Sequence, residues 1–146
     1  MKHIRTEAVI SAPPAKVWAV LTDFARYHEW NPLNIAADGE ARAGGRIRTT
    51  FLNPAGNPGA TITQTVRLTR FEPYTALAWS GVVPLLFHGT HLFLLEPAPE
   101  GTRLVHGEDM SGLVAMTFSA QQLERDFRPH YVAVNEALAK RVAAVG

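Results

Sequence analysis

The sequence of 146 residues contains no cysteine. This absence excludes disulfides, thiol nucleophiles, zinc sites with Cys ligands and iron–sulfur clusters. Charge of one sign is not in excess either, because 14 Lys and Arg residues stand against 13 Asp and Glu residues, for a formal net charge of +1. Nucleic acids and anionic membranes attract proteins with a concentrated basic surface. The composition therefore predicts no nucleic-acid partner and no electrostatic attachment to a membrane.

Long apolar runs are also lacking. Runs such as residues 92–95 and 113–116 are far shorter than a membrane span. Residues 1–11 are charged and alternating, without the apolar stretch of a secretory signal. We therefore expect a cytoplasmic, soluble protein without stable membrane insertion. No repeat or linker-like change of composition divides the chain, and its length suits one domain, residues 1–146, with a sizeable core.

Two common catalytic motifs are missing as well. The sequence has no Gly-x-Ser-x-Gly elbow, so nothing supports a serine nucleophile. Gly44 and Gly45 are not followed by the Lys-Ser/Thr pair of a phosphate-binding loop.

Alternating segments rich in β-branched residues predict a sheet. Strand candidates lie at residues 3–10, 46–53, 60–71, 76–81, 86–96 and 102–110, with a short one at 38–41. Pro- and Gly-rich turns separate them. Consecutive strands with short turns pair in antiparallel fashion, because a parallel return needs a long crossover. We therefore expect a curled meander of six or seven strands.

Two segments have helical spacing. Pro13 and Pro14 suit the first turn of a short helix that follows the first strand. Near the C-terminus an apolar stripe recurs at steps of three and four, which predicts a long helix. The stripe consists of Leu123, Phe127, Tyr131, Val134, Leu138, Val142 and Val145. Ser119 and Gln122 form a capping box, although a start near Gly112 is an alternative, and Pro129 is expected to kink the helix.

Residues 12–24 (APPAKVWAVLTDF), followed by Glu29-Trp30-Asn31-Pro32, resemble the opening of the START-like superfamily, also called SRPBCC or Bet v 1-like. Within it they resemble the bacterial polyketide cyclase/dehydrase-type branch, and residues 77–81, 88–97 and 135–138 agree. The resemblance covers essentially the whole chain. It implies one START-like ligand-binding domain with an α+β helix-grip fold, in which a curved antiparallel sheet wraps around a long C-terminal helix and leaves an apolar tunnel.

The resemblance implies a function in binding a small hydrophobic molecule, such as a lipid, a polyketide or an aromatic compound, without a cofactor. Because only some members are enzymes, a polyketide cyclase, aromatase or dehydratase with a proton-transferring histidine is the alternative. A chaperone-interacting module is a third class, and it needs an exposed apolar or charged patch that the sequence does not reveal. Fold alone does not decide among them. A homodimer is expected from chain size only.

Period-two alternation assigns the inward faces of the strands. If Leu95 pairs with Thr102, then His91 lies opposite His106, and Glu108 follows on the same face. Two imidazoles and a carboxylate then converge in an apolar groove. They form either a polar anchor or acid–base pair for a ligand or a purely structural network. Their types also match a two-His-one-carboxylate metal site, but the resemblance implies no metal and none is expected.

The predicted ligand-binding residues lie on the inward faces of the strands, on the C-terminal helix and in the aromatic turn after the first helix. They are Trp30, Ile62, Gln64, Val66, Leu77, Trp79, His91, Phe93, Leu104, His106, Glu108, Phe127, Tyr131 and Val134. Candidates for catalysis are His91, His106 and Glu108. An alternative role for Trp30 is structural, as a side chain that closes the mouth of the sheet. An alternative role for the helix residues is as ordinary members of the hydrophobic core.

Overall fold

A computed structural model describes residues 1–145, and within them seven antiparallel strands form one sheet in the order β1-β7-β6-β5-β4-β3-β2. The strands are β1 Lys2–Ile10, β2 Asn34–Gly39, β3 Arg46–Leu52, β4 Thr61–Glu72, β5 Ala76–Val83, β6 Phe87–Ala98 and β7 Gly101–Ser111. The predicted meander is confirmed from β2 to β7, and β1 pairs with β7. The short strand β2 begins four residues earlier than the predicted segment 38–41.

The helical segments follow β1 and β7. They are α1 Pro14–Thr22, a 3-10 helix Phe24–Glu29, α2 Leu113–Met116, α3 Ala120–Gln122 and α4 Arg128–Val145. A π-helical turn, Leu123–Phe127, joins α3 to α4, so residues 120–145 form one C-terminal helix. Its predicted apolar stripe is buried except for Val145, which lies in the last turn and is exposed. The sheet curves around this helix, which confirms the expected helix-grip fold.

The start of the C-terminal helix follows the predicted cap. The Ser119 hydroxyl accepts a hydrogen bond from the Gln122 N–H at 3.0 Å, and the segment after Gly112 forms the separate helix α2. Pro129, the residue expected to kink the helix, is the second residue of α4. It follows the π-helical turn, in which the Arg128 N–H reaches back five residues to the Leu123 carbonyl. Proline lacks the N–H that would continue the α-helical ladder, and the wider turn accommodates this break.

The predicted register between β6 and β7 is wrong by two residues. Leu95 pairs with Leu104, and His91 pairs with Glu108. The reason is the turn, because β6 continues to Ala98 and only two residues separate it from Gly101, which takes a φ of 140° that favours glycine. A slip of two residues keeps every side chain on its face, so the predicted inward faces of both strands stand.

The position of the C-terminal helix decides where the interior is solid. Helix α4 packs against β1, β7 and α1, on one side of the concave sheet. Beneath it the core is dense, and Leu104, Val134 and Leu138 are fully buried there. The concave face over β3 to β6 lies farther from the helix. The helix therefore covers one half of the concave face closely and leaves room over the other.

Candidate ligand-binding cavity

A cavity of about 280 Å³ lies between the sheet and the start of the C-terminal helix. Its walls are mainly apolar side chains of β3 to β7 and of the helix. The aromatic ones are Phe51, Trp79, Phe87, Phe118, Phe127 and Tyr131. An apolar cavity of about 150 Å³ holds benzene. The cavity therefore has room for a guest of about two fused rings.

The cavity reaches the surface where Ile62, Val83 and Val114 line it, since these side chains are 39%, 45% and 41% exposed. An exposed apolar patch, not evident from the sequence, adjoins this mouth at Val83 and Val114. It consists of Val82, Val83, Leu85, Leu86, Leu113, Val114 and Met116. The patch forms because α2 docks on the β5–β6 turn, with hydrogen bonds from Leu113 and Val114 to the turn carbonyls. The entrance to the cavity is thus apolar.

A chain of polar side chains closes the inner end of the cavity. His91 and His106 face each other with their Nε2 atoms 2.6 Å apart. Behind them, the His106 Nδ1 contacts the Asn135 Oδ1 at 2.8 Å, and the Asn135 amide donates to the Thr6 hydroxyl at 2.8 Å. All four residues are at least 95% buried. Buried polar groups are stable only when they are paired, and this chain pairs them in series.

The hydrogen bonds of this chain determine which nitrogen carries each proton. The Thr6 hydroxyl donates to the His106 carbonyl at 2.8 Å, so its oxygen accepts from the Asn135 Nδ2. The Asn135 Oδ1 therefore faces the His106 Nδ1, which must be the protonated nitrogen. A neutral His106 then accepts at Nε2, and His91 donates its Nε2–H. This leaves the His91 Nδ1 directed toward Glu108.

His91 and Glu108 lie side by side at the cavity wall. The His91 Nδ1 lies 3.4 Å from the Glu108 Oε1, which also accepts a hydrogen bond from the Tyr131 hydroxyl at 2.9 Å. The imidazole and the carboxyl are therefore close enough to interact electrostatically. Trp79 stacks on the His91 ring at 4.8 Å and holds its orientation. An imidazole and a carboxyl are both side-chain types that serve as general acids and bases, so this pair is the candidate acid–base group of the cavity.

Burial sets the protonation of the two flanking groups. Desolvation by burial, and secondly electrostatic repulsion from the neighbouring His91, hold the pKa of His106 well below its ordinary value. Desolvation and the neighbouring Glu108 carboxylate raise the pKa of Tyr131 well above its ordinary value. At neutral pH His106 is therefore an uncharged acceptor, and the Tyr131 hydroxyl stays protonated as a donor.

The low pKa of His106 makes stability depend on pH. The unfolded chain takes up a proton on this histidine below about pH 6.5, whereas the folded chain does not. The stabilisation of the folded state that this pKa difference provides is complete above that pH. It falls as the pH decreases, by up to about 1.4 kcal/mol per pH unit, until the folded-state pKa is reached. Urea unfolding at pH 7.5, 6.5 and 5.5 measures the slope. The exposed-site variant His88→Gln should keep the wild-type slope, and a flat profile would contradict a neutral His106.

The structure divides the predicted ligand-binding residues into two groups. Eight line the cavity: Ile62, Gln64, Val66, Trp79, His91, Glu108, Phe127 and Tyr131. Six lie outside its lining: Trp30, Leu77, Phe93, Leu104, His106 and Val134. Of these, Trp30 packs edge-on against Tyr27 at 5.3 Å, and the other five are buried core. Among residues 1–145 no cluster of three His, Cys, Asp or Glu side chains has the geometry to hold a metal.

Sequence reasoning missed two members of the polar chain, Thr6 and Asn135. The signal for Asn135 was present, because it lies four residues after Tyr131 and three before Leu138, on the apolar stripe of the helix. A polar residue at such a position needs a buried partner. Thr6 carried no comparable signal, since threonine is common on both faces of a strand.

The observed architecture is that of a helix-grip domain with a cavity between the sheet and the C-terminal helix. The sequence profile of the family described as "Polyketide cyclase / dehydrase and lipid transport" matches residues 1–143, and the chain belongs to that family. No curated protein sequence matches the chain. None of the helices in the described part of the chain is both long and apolar enough to cross a membrane.

Solved structures share this fold. One is the Zhui aromatase/cyclase from a Streptomyces species, with 22% identity, a TM-score of 0.74 and coverage of 97% of this chain and 93% of that one. A protein from Thermus thermophilus has 16% identity, a TM-score of 0.76 and 99% coverage of both chains. A protein from Chromobacterium violaceum has 20% identity, a TM-score of 0.72 and coverage of 97% and 98%. At these identities the matches establish the fold alone.

Proposed function

We propose that the protein binds a small hydrophobic molecule in the cavity between the sheet and the C-terminal helix. The observation that carries this proposal is the cavity itself, with about 280 Å³ of room, aromatic walls and an apolar mouth. Burial of apolar surface supplies the affinity, and a few polar groups set the orientation. Here those polar groups are Glu108 and Tyr131 at the inner end, and His91 packs beside Glu108. The family description supports such a ligand.

A cyclase-type or dehydratase-type reaction is the second candidate, and the 3.4 Å approach of the His91 imidazole to the Glu108 carboxyl in the cavity wall favours it. In that reaction the cavity would hold a folded carbonyl compound while Glu108 takes a proton from a carbon next to a carbonyl. General acid–base groups of this kind contribute about 10²- to 10⁴-fold to a rate. Exchange of the α-protons of 2-tetralone into deuterated buffer, abolished in Glu108→Gln, would distinguish catalysis from binding alone.

The proposal places this binding in the bacterial cytoplasm, with a small hydrophobic molecule as the partner. It includes no nucleic acid and no membrane insertion, in keeping with the balanced charge of the chain. The homodimer stays a prediction that light scattering of the purified protein can check.

Fluorescence titration with naphthalene tests the binding proposal directly. Naphthalene matches the cavity in size and has no polar group, so its binding reports the apolar room alone. We expect saturable binding of one molecule per chain. Native mass spectrometry of the gently purified protein adds the chemical class of any retained ligand. The absence of saturable naphthalene binding up to its solubility limit would contradict the proposal.

A further inference from the structure

Two glycines form a floor in the cavity. Gly81 on β5 and Gly89 on β6 pair directly across the two strands, and both line the cavity. Because neither has a side chain, polar ends from the neighbouring strands lie over them. The Glu108 Oε2 lies 2.9 Å from the position that a Cβ of Gly89 would take, and the Gln64 amide lies 2.6–2.9 Å from that of Gly81. We call this arrangement the glycine floor.

The two polar ends on the glycine floor are close neighbours. Side chains of directly paired residues start about 4.5–5.5 Å apart, so the Glu108 carboxylate and the Gln64 amide flank one small area of the cavity. Tyr131 and His91 engage the Oε1 atom of Glu108, which leaves Oε2 for a guest. The floor thus presents a carboxylate acceptor beside an amide that can both donate and accept.

Among residues 1–145, the cavity offers a bound guest no free cationic side chain in its lining. Of the described residues that line it, none is lysine or arginine, and Glu108 is the acidic one. His91 cannot serve as a cation for a guest, because its Nε2 is directed to His106 and its Nδ1 to Glu108. A carboxylate guest would lose its hydration and then face Glu108 without a counter-charge, which is costly.

We propose that the glycine floor makes the cavity selective for neutral ligands that carry a hydroxyl next to a hydrogen-bond acceptor, and that it excludes carboxylates such as free fatty acids. The ligand hydroxyl donates to the Glu108 Oε2, and its acceptor takes the Gln64 N–H. This inference rests on the proposed function, and it narrows the ligand class to uncharged hydroxylated ring compounds.

Three ligands with one ring frame test this selectivity: naphthalene, 2-naphthol and 2-naphthoate. A hydrogen bond to a charged group contributes enough to predict that 2-naphthol binds about 10-fold or more tightly than naphthalene. We expect 2-naphthoate to bind at least about 10-fold more weakly than 2-naphthol. Equal or tighter binding of 2-naphthoate, with naphthalene bound, overturns this inference alone. Failure of all three to bind overturns the proposed function as well.

Two variants locate the selectivity on the glycine floor. Glu108→Gln keeps the shape but removes the charge, so the difference between 2-naphthol and 2-naphthoate should shrink to less than about 3-fold. Gly89→Ala should also lower the affinity for 2-naphthol, because the new Cβ would lie 2.7 Å from the Phe87 ring and 2.9 Å from the Glu108 Oε2. Glu100→Gln, in the exposed β6–β7 turn, is the matched charge control and should change neither affinity. Unaltered selectivity in Glu108→Gln would overturn the assignment.

Discussion

The variant His106→Ala is expected to lower the free energy of unfolding by at least about 4 kcal/mol. The change removes a fully buried ring that stacks on Phe93 with centroids 4.2 Å apart, and such truncations cost about 3–5 kcal/mol. It also leaves the Nε2–H of His91 and the Oδ1 of Asn135 without their partners. Each unpaired buried group adds about 1–3 kcal/mol unless water enters the space. Urea unfolding followed by tryptophan fluorescence measures the loss.

His88→Ala is the matched control for this variant. His88 lies three residues before His91 on the same strand, but its side chain is exposed. Exposed substitutions of this kind change stability by about 0.5 kcal/mol or less. If His106→Ala retained wild-type stability and changed only ligand preference, the histidine would act at the cavity rather than through the buried chain.

Filling the cavity is expected to abolish ligand binding. Val66 is 5% exposed and its side chain lines the cavity, so the ring of Val66→Phe takes up room that a guest needs. We expect naphthalene affinity to fall about 100-fold or more, equivalent to about 2.7 kcal/mol. Overpacking in a dense core costs about 1–3 kcal/mol, but here the cavity receives the ring, so stability should change little. Titration and thermal unfolding of the same samples separate the two effects.

The adjacent residue provides the control. Thr65 precedes Val66 on β4 and its side chain is exposed on the opposite face of the sheet. Thr65→Phe adds a larger ring to the same strand without entering the cavity, and it should bind naphthalene with wild-type affinity. Equal affinities in Val66→Phe and the wild type would place the guest elsewhere on the protein.

Periodicity is sufficient to predict the strands and their faces. A two-residue repeat identifies the side chains on one face whatever the register, so it assigns His91 and Glu108 to the inward face even though the predicted β6–β7 pairing is wrong. The sequence did not indicate the length of the β6–β7 turn, which sets the register of these two strands. Pro97 indicated the end of β6, whereas the strand continues through it to Ala98.

Periodicity could not separate the cavity from the core. Leu104, His106 and Glu108 share one face of β7, yet Glu108 alone of these three lines the cavity. The difference arises from the position of α4, which covers β1 and β7 closely and leaves the face over β3 to β6 open. That position depends on contacts between distant segments, such as Asn135 with Thr6. No repeat within a single element encodes it.

The exposed apolar patch at the mouth has a similar origin. Val82 and Val83 end one strand, and Leu85 and Leu86 lie in or next to the turn before the next strand. From the sequence alone, apolar residues of this kind are expected to be buried at the ends of strands. They are exposed because the β5–β6 hairpin extends past the core, where α2 is the element that docks on it.

A crystal structure of the protein with 2-naphthol tests the central claim most directly. The account predicts the ring system inside the cavity against Trp79 and Phe127, with its hydroxyl at hydrogen-bond distance from the Glu108 Oε2. A saturating ligand found on the outer surface, with the space between sheet and helix closed by side chains, would contradict it.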